Sequence, residues 1–185
     1  MQKIIIAITG ASGSIYAQQL LEACCNAKNH ISKVGVVMSK NAKDVWQYEL
    51  NNKDYENYDV DFYEPNNFMA PFASGSANYG TMIIVPCSMG TLARIATGQS
   101  DSLITRAADV ILKERRKLIC LVRETPYNLI HIKNMEAVTL AGGIICPATP
   151  SFYSKPTTIV EAVKTVTNRV LSLANIANNG YVWGQ

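Results

Sequence analysis

The stretch KIIIAITGASGSIYAQQLLEACC, residues 3–25, decides the fold. A β-branched run from Lys3 to Thr9 meets Gly10-Ala11-Ser12-Gly13, and beyond it apolar residues recur at helical spacing, so the order is strand, tight glycine turn, helix. The pattern returns where Lys33 to Met38 runs into Ser39-Lys40 and a polar helix through Glu49, and again where Thr81 to Val85 runs into PCSMGTLARIA at 86–96. Apolar strands follow at Lys117 to Val122 and Gly143 to Cys146, and helices are expected near 103–116, 128–141 and 157–176. Strands that read as unbroken apolar runs are buried on both faces, and their alternation with helices requires parallel pairing. The expected fold is α/β, a three-layer Rossmann-like or flavodoxin-like sandwich with a mostly parallel sheet.

Two segments break the rhythm. Residues 51–80, rich in Asn, Tyr, Asp and Gly, support at most one short strand near Val60 to Tyr63, and a loop of that length is usually functional or disordered. The irregular tail, 175–185, carries Tyr181 and Trp183, which suggests that it docks somewhere, for instance on a neighbouring subunit.

Composition narrows the class. With 185 residues, 48% hydrophobic and 17% charged, the chain is expected to form a single domain over 1–185 with a real core. The net charge of +3 comes from scattered Lys and Arg, which argues against a nucleic-acid footprint and leaves room for a phosphorylated small ligand. No apolar run approaches the ~18–20 residues of a membrane span, and the opening segment is too brief for a signal sequence, so the expected location is cytoplasmic. Five cysteines without a CxxC, beside only two histidines, read as buried thiols in a reducing compartment, with no metal site.

In an open parallel sheet, ligands bind at the carboxyl ends of the strands. The GASGS turn after the first strand allows close backbone approach and opens onto a helix N-terminus that can receive an anion, although it is neither GxGxxG nor a Walker A loop; Ser12 reads equally as a helix cap. Ser39 and the Ser88-Met89-Gly90-Thr91 turn stand at equivalent strand ends. One such hydroxyl is ordinarily a cap, whereas three on one rim suit a mononucleotide or flavin. The fifth strand ends in Arg123-Glu124, a pair costly to bury unless liganded. Arg106 and Lys113 lie two turns apart on one helix face, and Tyr153 and Arg169 add a second donor pair; together they suit a phosphate leaving group. No Asp-rich cluster for Mg²⁺ and no GxSxG elbow is present.

The blocks GASGSIY (10–16), SK (39–40), APFASGS (70–76), PCSMGTLARIATG (86–98), RAADVILKERR (106–116), LVRETP (121–126), HIKNM (131–135) and PSFYSKP (150–156) closely resemble the UbiX-type flavin prenyltransferases, formerly described as phenolic acid decarboxylase subunits. The resemblance runs over nearly the whole chain. It implies a Rossmann-like homo-oligomer, a dodecamer with sites at subunit junctions, that joins a dimethylallyl group from dimethylallyl monophosphate to N5 and C6 of reduced FMN for a partner UbiD-type decarboxylase, without metal. By motif match Gly10, Ala11, Ser12, Gly13, Ser39, Ser88, Met89, Gly90, Thr91 and Arg123 would hold FMN. Tyr153 and Arg169 would hold the donor, and Arg106 and Lys113 would add phosphate ligands, reaching a neighbouring subunit's site.

The residue chemistry agrees with that implication. A basic cradle stabilises a departing phosphate dianion, and a monophosphate so surrounded needs no metal. Glu49 and Glu124 are the acid/base candidates, with the released phosphate sharing the work; Ser12 stands beside them as a catalytic candidate, and Trp183 could shield an allyl cation with its π face. The alternatives are an FMN-dependent cysteine decarboxylase, whose early catalytic histidine and PxMNxxMW-type motif are absent here, and a flavin-binding subunit without turnover.

Overall fold

The computed structural model describes residues 1–184. Six strands, β1 (Gln2–Ile8), β2 (Ile31–Met38), β3 (Asp61–Tyr63), β4 (Tyr79–Cys87), β5 (Lys117–Val122) and β6 (Ile144–Pro147), form one sheet in the order β3-β2-β1-β4-β5-β6. Every pairing is parallel. The order runs outward from β1 in one direction and from β4 in the other, so the topological switch point lies between the β1 and β4 carboxyl ends.

The unbroken apolar runs explain the layering. Successive residues of a strand face opposite sides. Ile4, Ile6 and Ile8 therefore enter one core with α1 (Ser14–Asn26), α6 (Ile159–Leu173) and Trp46 of α2 (Lys40–Leu50). Ile5 and Ala7 enter the other with α3 (Met89–Ala96) and α4 (Leu103–Lys113). Apart from α1, the surrounding helices start at polar side-chain caps: Ser39 Oγ accepts from Ala42 N at 3.1 Å, and Thr158 and Glu161 cap α6 reciprocally.

The long 51–80 segment is ordered by aromatic packing rather than by regular structure. Tyr63, Phe72 and Tyr79 meet edge to face, with centroids 5.0 and 5.3 Å apart. Gly35 makes room for them, since a Cβ there would stand 2.8 Å from the Phe72 ring. On the other face Trp46, wholly buried, meets Tyr55 at 5.5 Å and donates from Nε1 to Asn52 Oδ1 at 2.9 Å. Trp46→Ala would open a large cavity, so stability should fall by about 3–5 kcal/mol, read as a lower urea midpoint.

α5 (Leu129–Leu140) departs from the amphipathic pattern. Val138 is its one buried residue, while Leu129, Ile130, Ile132 and Leu140 are exposed. Among the described residues no helix is long and apolar enough to cross a membrane. All five cysteines are free, and Cys24, Cys87, Cys120 and Cys146 are buried.

Candidate active site

Lateral hydrogen bonds tie four strand ends into one rim. Ser39 N donates to Ile8 O at 3.0 Å, Thr9 N to Pro86 O at 3.3 Å, and Arg123 N to Cys87 O at 3.3 Å. Thr9, 2% exposed, is the pin: its hydroxyl donates to Pro86 O at 2.7 Å and accepts from Ser88 N at 2.9 Å. Sequence reasoning passed over Thr9; a hydroxyl closing an apolar strand at the switch point was the available signal. Arg123 Nε then crosses to Ser12 O at 3.1 Å, joining the β5 end to the glycine turn. The expected flavin residues Gly10, Ala11, Ser12, Gly13, Ser39, Ser88, Met89, Gly90, Thr91 and Arg123 are thus drawn to one edge of the sheet.

The hydroxyls and amides of that edge divide into used and free. Ser39 and Ser88 cap α2 and α3, as a lone hydroxyl at a helix start ordinarily does. Ser12 does not cap α1: Gly13, at φ 118°, is the N-cap. The sequence suggested that the amides there wait for an anion, and the structure corrects this. The Glu49 carboxylate accepts from Gly13 N at 3.0 Å and from Ser14 N at 2.7 Å, so the α1 N-terminus already holds its negative charge. Burial presses the Glu49 pKa upward, but the Ser12 hydroxyl and the Ser14 and Gly13 amides outweigh it, and the net shift is downward. Glu49 is therefore a fixed anion at neutral pH.

At α3 the amides of Met89 and Gly90 have no partner among the described residues, while Thr91 N is taken by Ser88 Oγ at 3.3 Å. Gly90 is exposed, and a Cβ there would meet only Arg94 at 3.5 Å, which leaves the turn open. Free amides at a helix start, hydroxyls at two neighbouring turns and the Arg123 guanidinium form a donor set suited to a phosphorylated, polar-edged ring system such as FMN.

Next to this rim, Arg123, Glu124, Tyr127, Ala148 and Thr149 line a hollow of about 310 Å³. Glu124 Oε1 there accepts from Thr125 N at 3.1 Å. Thr149 also belongs to the wall of a larger cavity of about 960 Å³ between α6, the 147–157 loop and the tail, which contains Tyr153, Arg169 and Trp183. Arg169 makes no ion pair among the described residues. Burial pushes the neighbouring Cys146 thiol up, and the Arg169 charge pulls it partly back. The tail docks on its own chain, with Tyr153 standing 4.7 Å from Trp183 and 6.3 Å from Tyr181, centroid to centroid.

Arg106 and Lys113 lie elsewhere. Arg106 Nε donates to Ala73 O at 3.1 Å and its NH1 to Asp109 at 2.9 Å. Lys113, in the last turn of α4, pairs with Glu114 at 2.6 Å. Arg116, three residues on, reaches Tyr79 O at the start of β4, so Lys113 sits at the amino edge of the sheet, opposite the glycine turn. Within one chain these two cations do not join the rim. Among the described residues no group of three or more His, Cys, Asp or Glu is placed to hold a metal ion.

Comparison with known proteins accords with this geometry. The flavoprotein family model matches residues 1–171. A flavin prenyltransferase UbiX from Methanocaldococcus jannaschii is 42% identical over 185 residues, covering 98% of each chain. The crystal structure of a dodecameric FMN-dependent UbiX-like decarboxylase from Escherichia coli O157:H7 superposes with a TM-score of 0.93 at 36% identity and full coverage of both chains. A structure of AnUbiX in complex with FMN and dimethylallyl pyrophosphate gives a TM-score of 0.88 at 37% identity, covering 98% of this chain and 99% of that one. The peptidyl-cysteine decarboxylase EpiD, at 19% identity and a TM-score of 0.58, shares the fold alone. With its glycine turn, switch-point crevice and near full-length likeness to these relatives, the chain belongs to the flavoprotein family, in its UbiX-type flavin prenyltransferase branch.

Proposed function

We propose that this chain transfers a dimethylallyl group from dimethylallyl monophosphate to N5 and C6 of reduced FMN, and releases a prenylated flavin for a UbiD-type decarboxylase. The observation that carries the reading is the meeting at Thr149 of two hollows, one bordered by the Arg123 end of the flavin rim and one walled by Arg169, which makes no ion pair among the described residues. Reduced FMN supplies the electron-rich ring that accepts the allyl group. The chain holds the flavin with the β1, β2 and β4 turns and Arg123, and holds the donor with Tyr153 and Arg169. When the allylic C–O bond breaks, the phosphate leaves with both electrons, and the Arg169 charge stabilises it. Glu49, ionised at rest, faces the positive charge left on the allyl carbon. Closing the second bond would need one proton delivered to the adduct's double bond and one removed from the ring, and Glu49, Glu124 and the released phosphate would exchange the two. Trp183 screens the allyl carbon from water, and Ser12 fixes the Glu49 carboxylate. Arg106 and Lys113 serve a neighbouring subunit's site.

The direct test is anaerobic incubation with reduced FMN and dimethylallyl monophosphate, without added metal, followed by mass spectrometry. A flavin heavier by one prenyl unit is the expected result. Unchanged flavin with FMN bound would favour a non-catalytic flavin-binding subunit.

The same reading makes the protein a cytoplasmic homo-oligomer, a dodecamer by analogy with the Escherichia coli relative. The free, buried thiols fit a reducing compartment. The exposed apolar side of α5 is the surface to cover, because contiguous exposed apolar area marks an interface. Ile130, 67% exposed in the single chain, is a direct probe. Ile130→Glu should shift the assembly to smaller species in light scattering with the circular dichroism spectrum kept, and a monomeric wild type would sink the oligomer.

A further inference from the structure

The Tyr153 ring is oriented by something other than its own loop. That loop is tethered at its ends, where Ser151 N donates to Thr165 Oγ1 at 3.0 Å and Thr157 N to Glu161 Oε2 at 2.6 Å. Between these tethers the Tyr153 hydroxyl has no hydrogen-bond partner among the described residues, and the residue is 66% exposed. What touches the ring is the tail. Tyr181 lies nearly parallel to it, at 6.3 Å and 15°, and Trp183 stands edge-on at 4.7 Å and 67°.

The tail reaches that position by a specific path. Ile176 anchors it in the core at 2% exposure. Asn178 Nδ2 donates to Ser172 Oγ at 3.0 Å, and its Oδ1 accepts from Gly180 N at 3.0 Å, which turns the chain back across α6. Gly180 passes so close that a Cβ there would lie 2.8 Å from Asn178 Oδ1 and 2.9 Å from Asn168 Cβ. Tyr181 follows at once.

We infer that Tyr181, delivered over α6 by the Asn178–Gly180 turn, is a positioning residue that fixes the Tyr153 ring for the donor's phosphate. This rests on the prenyl-transfer reading and deepens it. Stacked aromatic rings restrict one another through offset quadrupoles and buried area, without a hydroxyl. A side chain held before the ligand arrives spares the entropy of ordering it during binding. The effect should therefore appear in donor binding rather than in the chemical step.

The test compares wild type, Tyr181→Ala, Tyr181→Phe and Gly180→Ala in the flavin transfer assay, with tryptophan emission as a second readout. Tyr181→Ala should raise KM for dimethylallyl monophosphate about tenfold while kcat changes by less than about threefold and KM for FMN stays put. Tyr181→Phe keeps the stack and should restore the wild-type KM, whereas Gly180→Ala should behave like Tyr181→Ala because its methyl pushes the tail off Asn168. Emission from Trp183 should shift in the two impaired proteins, against a constant background from buried Trp46. An unchanged donor KM in Tyr181→Ala, in a protein series that does make prenylated flavin, overturns the clamp alone. A wild type that makes none overturns the function reading and the clamp with it.

Discussion

Replacing Glu49 with glutamine should lower turnover by about a hundredfold or more while FMN remains bound, as expected for loss of a group that both carries charge and accepts a proton. The carboxylate sits on the Gly13 and Ser14 amides, 3.0 and 2.7 Å away, where an amide would turn one N–H₂ toward two N–H donors and bring no charge. The pH dependence follows from the sign of its shift. Because its pKa is lowered from the usual 4.5, Glu49 remains ionised down through that value, and the acid limb of kcat/KM due to it lies below the ordinary carboxylate range. The stability linkage has the same direction. A depressed folded-state pKa adds stability above the unfolded value, and that contribution is lost as pH falls through the folded value. A glutamine protein should lack this acid-side loss in urea unfolding followed against pH. Wild-type turnover in E49Q would remove Glu49 from the chemistry.

Arg169→Ala should reduce kcat/KM for transfer by about a hundred- to a thousandfold, the usual cost of deleting one preorganised donor at a developing negative charge. Arg169 lines the large cavity and pairs with no carboxylate among the described residues, so its charge is available to a ligand phosphate. Lysine should recover only part of the loss, since an ammonium lacks the planar fork that grips two phosphate oxygens. FMN affinity should be untouched. Arg169 also pulls the Cys146 pKa down against burial, so in the alanine protein alkylation of that thiol should move to higher pH. This second readout reports the guanidinium's location even without turnover. Unaltered kcat/KM would place the donor's phosphate elsewhere, for instance on Arg123.

How much of this was legible in the sequence depends on distance along the chain. β1, β4 and β5 were readable from local apolar runs: Lys117–Val122 matches the reading, and the observed Gln2–Ile8 and Tyr79–Cys87 differ from it only at their edges. The rim turns were readable because each directly follows its strand. The Glu49 contact was not, since it joins residues of α2 and the glycine turn that no periodicity relates, and it reverses the reading of the α1 N-terminus from a vacant anion site to a satisfied one. The place of Lys113 in the fold was hidden for a similar reason. A seven-residue spacing shows that two side chains share a helix face, but only the sheet shows that α4 carries one of them to the opposite edge. The order inside residues 51–80 stayed hidden because it comes from Tyr63, Phe72 and Tyr79 packing across elements rather than from any strand pattern.

The central position of β1 has a consequence for how the protein is born. β1 precedes both of its neighbours in the chain, residues 31–38 on one side and 79–87 on the other. The crevice at the switch point therefore cannot exist until β4 has been made, and the Thr9 pin must wait for Pro86 and Ser88. Until then the Ile4–Ile8 run has only its first partner, and such sequence-distant pairing folds slowly and exposes apolar surface to self-association. Flavin added during translation should shield nothing before that point and should protect sharply after it.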